Sequence, residues 1–443
     1  MARLALEGIR VIDMGVAWAG PQCTQLLADM GAEVIKVEAT NRPDLRGGAG
    51  AVRPAPAPGA GAGAGAAPAA GAGMGMYPNN DPGQHPWNRS GMFNQQQRNR
   101  YGITLDLTME KAKEVYKKLV KISDILVENF SARVMINFGL GYSVLSQINP
   151  GLIMISMSGF GMTGPESGYR SYGSTLEQLT GIATTMGYLD GPPMPTGIFY
   201  PDPTAGTLGA GAVIAALHQR RRTGKGVFIE MSQREATLRL LGDGLMEYQM
   251  NGRTPPRVGD RDRMMAPHGC YPCQGEDSWI AIAVRNDEEW RALCWVMEKP
   301  ELADDEQFAD LLSRHKNHDE LDSIIEEWTK KHDHIAAMHL LQEAGVPAGA
   351  LLNAREAFYD PHLNDRGYFE KITHPEAGDL TLVGVAWKLS KTPGGIRKPA
   401  PCLGEHNHYV LGELLGMSEE EIEELEKERV IGYEPVMLPA PSP

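Results

Sequence analysis

The sequence predicts an α/β protein, with a large domain around a parallel sheet and a smaller α+β unit after it. Three observations carry that prediction. Residues 9–38 run strand, turn, helix, strand, a βαβ unit that commits the sheet to parallel pairing. Two further short apolar runs, Asp124–Asn129 (DILVEN) and Leu152–Ser158 (LIMISMS), read as buried strands of the same kind. Beyond residue 263 the pattern changes to a strand at 279–284 and helical segments at 287–297, 319–331 and 334–344, the pattern of a separate unit.

Taken in order, Ile9–Met14 (IRVIDM) is the first strand, and Ala19–Pro21 turns into a helix that ends at Gly31. Ala32–Glu38 is the second strand. Its terminal acid invites a dinucleotide cofactor, but the first turn reads AWAGP where a GxGxxG is needed, so NAD is not expected. Residues 47–76 are almost wholly Gly, Ala and Pro and lack the side chains that offset chain ordering, so a flexible surface insertion is expected. Residues 97–106 supply Arg98 and Arg100 and then a short strand, after which Thr108 is placed as the N-cap of a helix. The strand at 152–158 runs into SGFGMTGP, a Gly-rich loop at a C-terminal strand end, where open α/β sheets bind ligands.

The stretch GYLDGPP, residues 187–193, has Asp190 at its centre. Gly and Pro on both sides put this acid on a tight turn, either closing the surface or holding a carboxylate beside a ligand. A second carboxylate, Asp202, lies in the turn-rich run that follows, ahead of a helix over Ala205–Arg222 and a strand over Gly226–Ser232. Near the C-terminus, Ser418 and Glu421 form the capping box of the last helix.

Composition narrows the function classes. A chain of 443 residues is long enough for about two domains. Its 42% hydrophobic and 22% charged residues are those of a soluble globular protein. A formal net charge of -14 argues against nucleic acid, which needs a basic face, but leaves room for a small anionic cofactor held locally. No run of 18 apolar residues suggests a membrane span, and the start shows no signal peptide. The five scattered cysteines suit a reducing cytoplasm. Cys270 and Cys273 form a CxxC with no second pair, so no metal site is expected.

Motifs along nearly the whole chain then carry a resemblance. They are LEGIRVID at Leu6, AGPQCTQLL at Ala19, GAEVIKVE at Gly31, LVENF at Leu126, SGFGMTGP at Ser158, RRTGKG at Arg221, APHGCYP at Ala266, DPHLNDRG at Asp360 and LGEHN at Leu403. With them the chain resembles the class III CoA-transferases, the family of formyl-CoA:oxalate and carnitine CoA-transferases, which also holds the 2-methylacyl-CoA racemases. The resemblance implies a Rossmann-like large domain built from both termini, a smaller α+β domain, and two chains interlocked as linked rings. On this sequence that divides into 1–225 (with the 47–76 insertion), a strand, helix and linker at 226–265, the small α+β domain at 266–345, and a return segment at 346–443.

The resemblance also places the chemistry. The family's catalytic Asp sits in a G-[FY]-x-D-G-P-P-like turn, and Asp190 falls on it. A carboxylate there attacks a thioester, giving a mixed anhydride and then an aspartyl-CoA thioester, with coenzyme A as the carried group and no metal. By position, Val16, Ala17, Trp18, Ala19, Ala39, Leu105, Thr108, Asn129, Phe130, Asn137, Phe138 and Ser158 fall where the family contacts CoA. Trp18 stands in place of a frequent Gln, and Ala39, Asn137 and Ser158 stand where basic residues meet the CoA phosphates. Arg46, Arg98 and Arg100 are the candidates to meet that charge instead. Succinyl-CoA is the implied donor, as in the benzylsuccinate transferases, and Trp18 with the Met- and Phe-rich loops suggests an aromatic or substituted dicarboxylic acceptor. The partner is a second copy or a paralogous subunit. A racemase needs a His and an Asp. Asp202 matches the acid, but Tyr172 stands at the His position, and a phenol of pKa about 10 is a poor base near neutrality. A catalytically silent subunit is the third reading: Asp190 speaks against it and the missing cationic contacts speak for it.

Overall fold

The computed structural model describes residues 4–44, 46 and 77–436. The 47–76 segment, expected to be a flexible insertion, lies outside the described residues. The chain divides into two compact units. The first comprises Met1–Ile182, Thr196–Gly242 and Arg366–Pro443; the second comprises Ala183–Pro195 and Asp243–Asp365.

The first unit is built on six parallel strands: β1 (Arg10–Asp13), β2 (Glu33–Glu38), β3 (Arg100–Thr104), β4 (Ile125–Glu128), β5 (Ile153–Ser156) and β6 (Val227–Glu230). Their order is β3-β2-β1-β4-β5-β6, so the chain winds outward from β1 and then crosses back to β4. The strand order reverses between β1 and β4, and a crevice opens at such a switch point.

Side chains alternate between the faces of each strand, and here both faces are covered. Val11, Val34, Ile125, Val127, Ile153 and Ile155 pack with Cys23 and Leu27 of the helix Ala19–Asp29 and with Ala210, Val213 and Leu217 of the helix Pro201–Thr223. Ile12, Ile35, Ile103, Leu126 and Met154 pack the other way, on Val115, Tyr116 and Leu119 of the helix Glu110–Lys121 and on Val410, Ile422 and Leu425 from the C-terminal segment. Gly206 lets the helices Ala19–Asp29 and Pro201–Thr223 meet closely, since a Cβ there would come within 2.6 Å of Gln22. That helix starts at Pro201 rather than Ala205, because proline presets the first helical φ, and so Asp202 lies in its first turn. Thr108 does not cap the helix Glu110–Lys121; its hydroxyl donates to Asp106 at 2.6 Å, a local bond that wins over capping. The Ser418–Glu421 capping box is formed.

The second unit holds an antiparallel sheet in the order β7-β8-β9: β7 (His268–Pro272), β8 (Trp279–Ala283) and β9 (Ala348–Ala350). The helices Asp287–Val296, His318–Thr329 and His334–Glu343 close over it around Trp290, Leu293, Phe308, Leu321 and Ile325. The hairpin of β10 (Phe369–His374) and β11 (Gly378–Val383) belongs to the first unit. All five cysteines are free thiols. Among the described residues, no helix is long and apolar enough to cross a membrane.

Candidate active site

Loops leaving the C-terminal ends of β1, β4 and β5 converge on one cavity of the first unit, at the switch point. Val16 and Ala17 come from the first loop, Asn129 and Phe130 from the second, and Ser158, Gly159 and Phe160 from the third. Tyr169, Ser171, Tyr172, Asp202 and Gln233 complete the wall.

These loops are tied to each other by hydrogen bonds. Asn129 accepts from the Val16 N–H at 2.7 Å and returns its amide to the Val16 carbonyl at 2.9 Å. Ala17 sits at φ 60, the left-handed region that costs a side chain free energy. Its N–H is held there by Asp44 Oδ1 at 2.8 Å, and Asp44 is itself held by Lys36 at 3.0 Å. Beneath the turn, buried Asp13 accepts from the Gly15 N–H at 2.8 Å and from the Thr24 hydroxyl at 3.0 Å. The strain on Ala17 is therefore maintained by a buried polar network.

Asp202 points its carboxylate at the start of the helix Ala19–Asp29, where the Ala19 N–H meets it. Burial raises its pKa to about 6, and the Ala19 hydrogen bond only partly opposes this. Ser158 Oγ is buried with no hydrogen-bond partner among the described residues, leaving a donor unspent at the wall.

Of the residues expected to contact CoA, Val16, Ala17, Asn129, Phe130 and Ser158 line this cavity. Trp18 and Ala19 follow directly in chain, at the start of the first helix. Ala39, Leu105 and Thr108 lie just past the ends of β2 and β3, and Asn137 and Phe138 close the short helix Val134–Asn137; none of these five lines the cavity. Tyr169, Ser171 and Gln233 were not anticipated. The sequence signal for this wall was the Gly-rich loop from Ser158, and nothing marked the residues folded over it.

The three arginines expected to meet phosphate are placed otherwise. Arg46 grips Glu38 through Nε at 2.8 Å and Nη2 at 2.7 Å, and reaches Asn88 at 3.1 Å. Arg98 pairs with Asp29 at 2.7 Å and Arg100 with Asp13 at 3.2 Å. All three are buried. A buried guanidinium must be matched by a carboxylate inside the protein, so they brace the sheet and present no open face to a ligand. Burial by itself would raise the Glu38 pKa; the charge and hydrogen bonds of Arg46, with Lys36 behind them, hold it below the usual carboxylate range.

Asp190 is carried by the second unit, exposed, on a turn of its own. The Gly191 N–H closes that turn on the Tyr188 carbonyl at 3.1 Å, and Met194 bonds back to Met186 at 3.2 Å. Arg257 ties it down by donating to the carbonyl of Gly191 at 2.8 Å and that of Thr184 at 3.3 Å. Gly187 has φ 120, and a Cβ there would stand 2.8 Å from the Pro192 carbonyl, so the turn requires glycine. The backbone is fixed and the carboxylate is open.

The profile of CoA-transferase family III matches residues 6–407. The chain is 35% identical over 427 residues to a succinyl-CoA–D-citramalate CoA-transferase of Chloroflexus aurantiacus, covering 96% of this chain and 98% of that protein. It is 31% identical over 432 residues to the alpha subunit of a succinyl-CoA–L-malate CoA-transferase of the same organism, covering 97% and 93%. Among solved structures, a CAIB/BAIF family protein from Brucella suis superposes with a TM-score of 0.78 at 28% identity, covering 93% of this chain and 99% of that one.

Proposed function

The chain belongs to CoA-transferase family III, and we propose on that footing that it moves CoA from succinyl-CoA to a substituted dicarboxylic acid, with Asp190 as the nucleophile. The observation that carries the reading is the Asp190 turn, a carboxylate presented on a backbone that glycine and Arg257 hold still. The names of the relatives support the donor and the acceptor class, and favour a dicarboxylate over an aromatic acid.

In this reading an oxygen of Asp190 attacks the thioester carbonyl, the C–S bond breaks, and CoA leaves as the thiolate. The thiolate attacks the aspartyl carbonyl of the resulting anhydride, releasing the donor acid and leaving CoA as a thioester on Asp190. The acceptor carboxylate attacks that thioester, and the thiolate freed again attacks the acceptor's acyl carbon and restores the Asp190 carboxylate. One thioester is exchanged for another, so the cycle consumes no ATP. Backbone N–H groups of the Gly-rich loops suit the tetrahedral oxyanions. The cavity at the switch point takes CoA. The chain works in the cytoplasm as an interlocked dimer of two copies, or with a paralogous subunit as the alpha-subunit name of one relative suggests. A panel of acids offered with succinyl-CoA tests the acceptor: transfer to malate- and citramalate-like acids should exceed transfer to formate or oxalate. Preference for formate would overturn the acceptor class.

A racemase reading gains one observation, because Tyr172 and the half-buried Asp202 line the same cavity. Proton exchange needs a base on each face of the α-carbon, and Tyr172 is a poor one. A 2-methylacyl-CoA incubated with the enzyme in deuterium oxide is therefore expected to keep its α-proton at the uncatalysed rate. Exchange that is fast in the wild type and lost in Asp202→Asn would move the chain to the racemase side.

A further inference from the structure

We propose that Glu128 is the positioning residue of the cavity at the switch point, a buried carboxyl that clamps the Asn129–Phe130 corner and sets how tightly CoA is held. The proposal rests on the reading that this cavity takes CoA.

Glu128 is the last residue of β4 and is 3% exposed. Its Oε2 accepts from the Phe130 N–H at 2.8 Å, folding the chain back just past the strand. Asn129, between the two, is the residue that holds Val16 at 2.7 and 2.9 Å. One carboxyl therefore fixes the corner that joins the β4 loop to the β1 loop, and residues on both sides of that corner line the cavity.

The surroundings of Glu128 are poor in charge. The helix Glu110–Lys121 presents Tyr116, and β5 presents Ser156, its register partner. Both hydroxyls are buried, and neither makes a hydrogen bond of good geometry among the described residues. On the β1 side, Asp13 shares the opposite face with Val11 and is committed to Arg100. Tyr116 is thus the titratable group that faces Glu128, and no cation does so among the described residues. Burial pushes the carboxyl up to about 7, opposed in part by Ser156 and the Phe130 N–H.

A consequence for binding follows. Below neutrality the group is neutral and the corner carries no net charge. Above neutrality it becomes an uncompensated negative charge under a cavity meant for a polyanionic ligand, so affinity falls with rising pH. Glu128→Gln keeps an oxygen to accept from Phe130 and removes the titration; Glu128→Ala removes both.

The test is calorimetric affinity for CoA itself at pH 6 and pH 8, in the full-length protein and both variants, with near-ultraviolet circular dichroism to show each is folded. Taking the ratio of wild type to Glu128→Gln cancels the titration of the CoA phosphates. At pH 6 the two should bind within about twofold, and at pH 8 Glu128→Gln should bind roughly fivefold tighter or more. Glu128→Ala should bind about tenfold weaker than wild type at pH 6. A purely structural residue would not change the ratio with pH. A ratio equal at both pH values overturns the proposal, and it decides the matter alone if Glu128→Ala does not fold. Wild type with no affinity for CoA would overturn the reading of the cavity, and this proposal with it.

Discussion

Asp190→Ala is expected to lose CoA transfer by roughly four orders of magnitude or more while the protein folds and binds CoA as before. The size of the effect follows from the covalent route, in which every bond made to the enzyme is made to one carboxylate. Asp190 is exposed on its turn and makes no contribution to any of the three hydrophobic cores, so its truncation costs little stability. Asp190→Asn keeps the shape and offers a far weaker nucleophile, and should be nearly as inactive. Steady-state transfer together with direct CoA binding separates this outcome from misfolding. A variant that has lost CoA binding in parallel with activity would point to a binding role for Asp190 instead.

The second large effect falls on stability. Arg46→Ala leaves Glu38 buried without its partner, and breaking such a pair costs about 3–5 kcal/mol. Urea unfolding should read that loss, while Glu38→Leu with Arg46→Met, which replaces the pair by apolar groups, should recover most of it. The pair also has a pH signature. The Glu38 carboxyl is held below its ordinary pKa in the folded state, so its contribution is present above the unfolded value and is lost as pH falls through the lower, folded value. The apolar double variant should lack that acid-side loss. If Arg46→Ala instead weakens CoA binding with stability unchanged, Arg46 is a ligand contact after all.

The sheet was legible because its strands are apolar on both faces. Val11 with Ile12, and Val34 with Ile35, feed two different cores, and only a covered parallel sheet asks for that. The loops at the strand ends could be read too, since Val16, Asn129, Phe130 and Ser158 follow strands directly and their place is set by the strand. The arginines were misread for a physical reason. Sequence shows a guanidinium but not the carboxylate across the sheet, and Asp13, Asp29 and Glu38 lie 87, 69 and 8 residues from Arg100, Arg98 and Arg46. Thr108 was misread because Asp106 competes for its hydroxyl two residues away. Glu128 showed in the sequence only as the acid in LVENF. Its burial depends on Tyr116 and Ser156, which come from elements before and after it.

The covalent route through Asp190 is tested most directly by trapping. Wild-type protein incubated with succinyl-CoA alone, with no acceptor, should accumulate the aspartyl thioester, and hydroxylamine should convert it to a hydroxamate. Mass spectrometry of the digested protein should then find the label on the peptide that contains Asp190 and on no other. Label on a different acid, Asp202 included, or steady transfer with no label anywhere, would contradict the account.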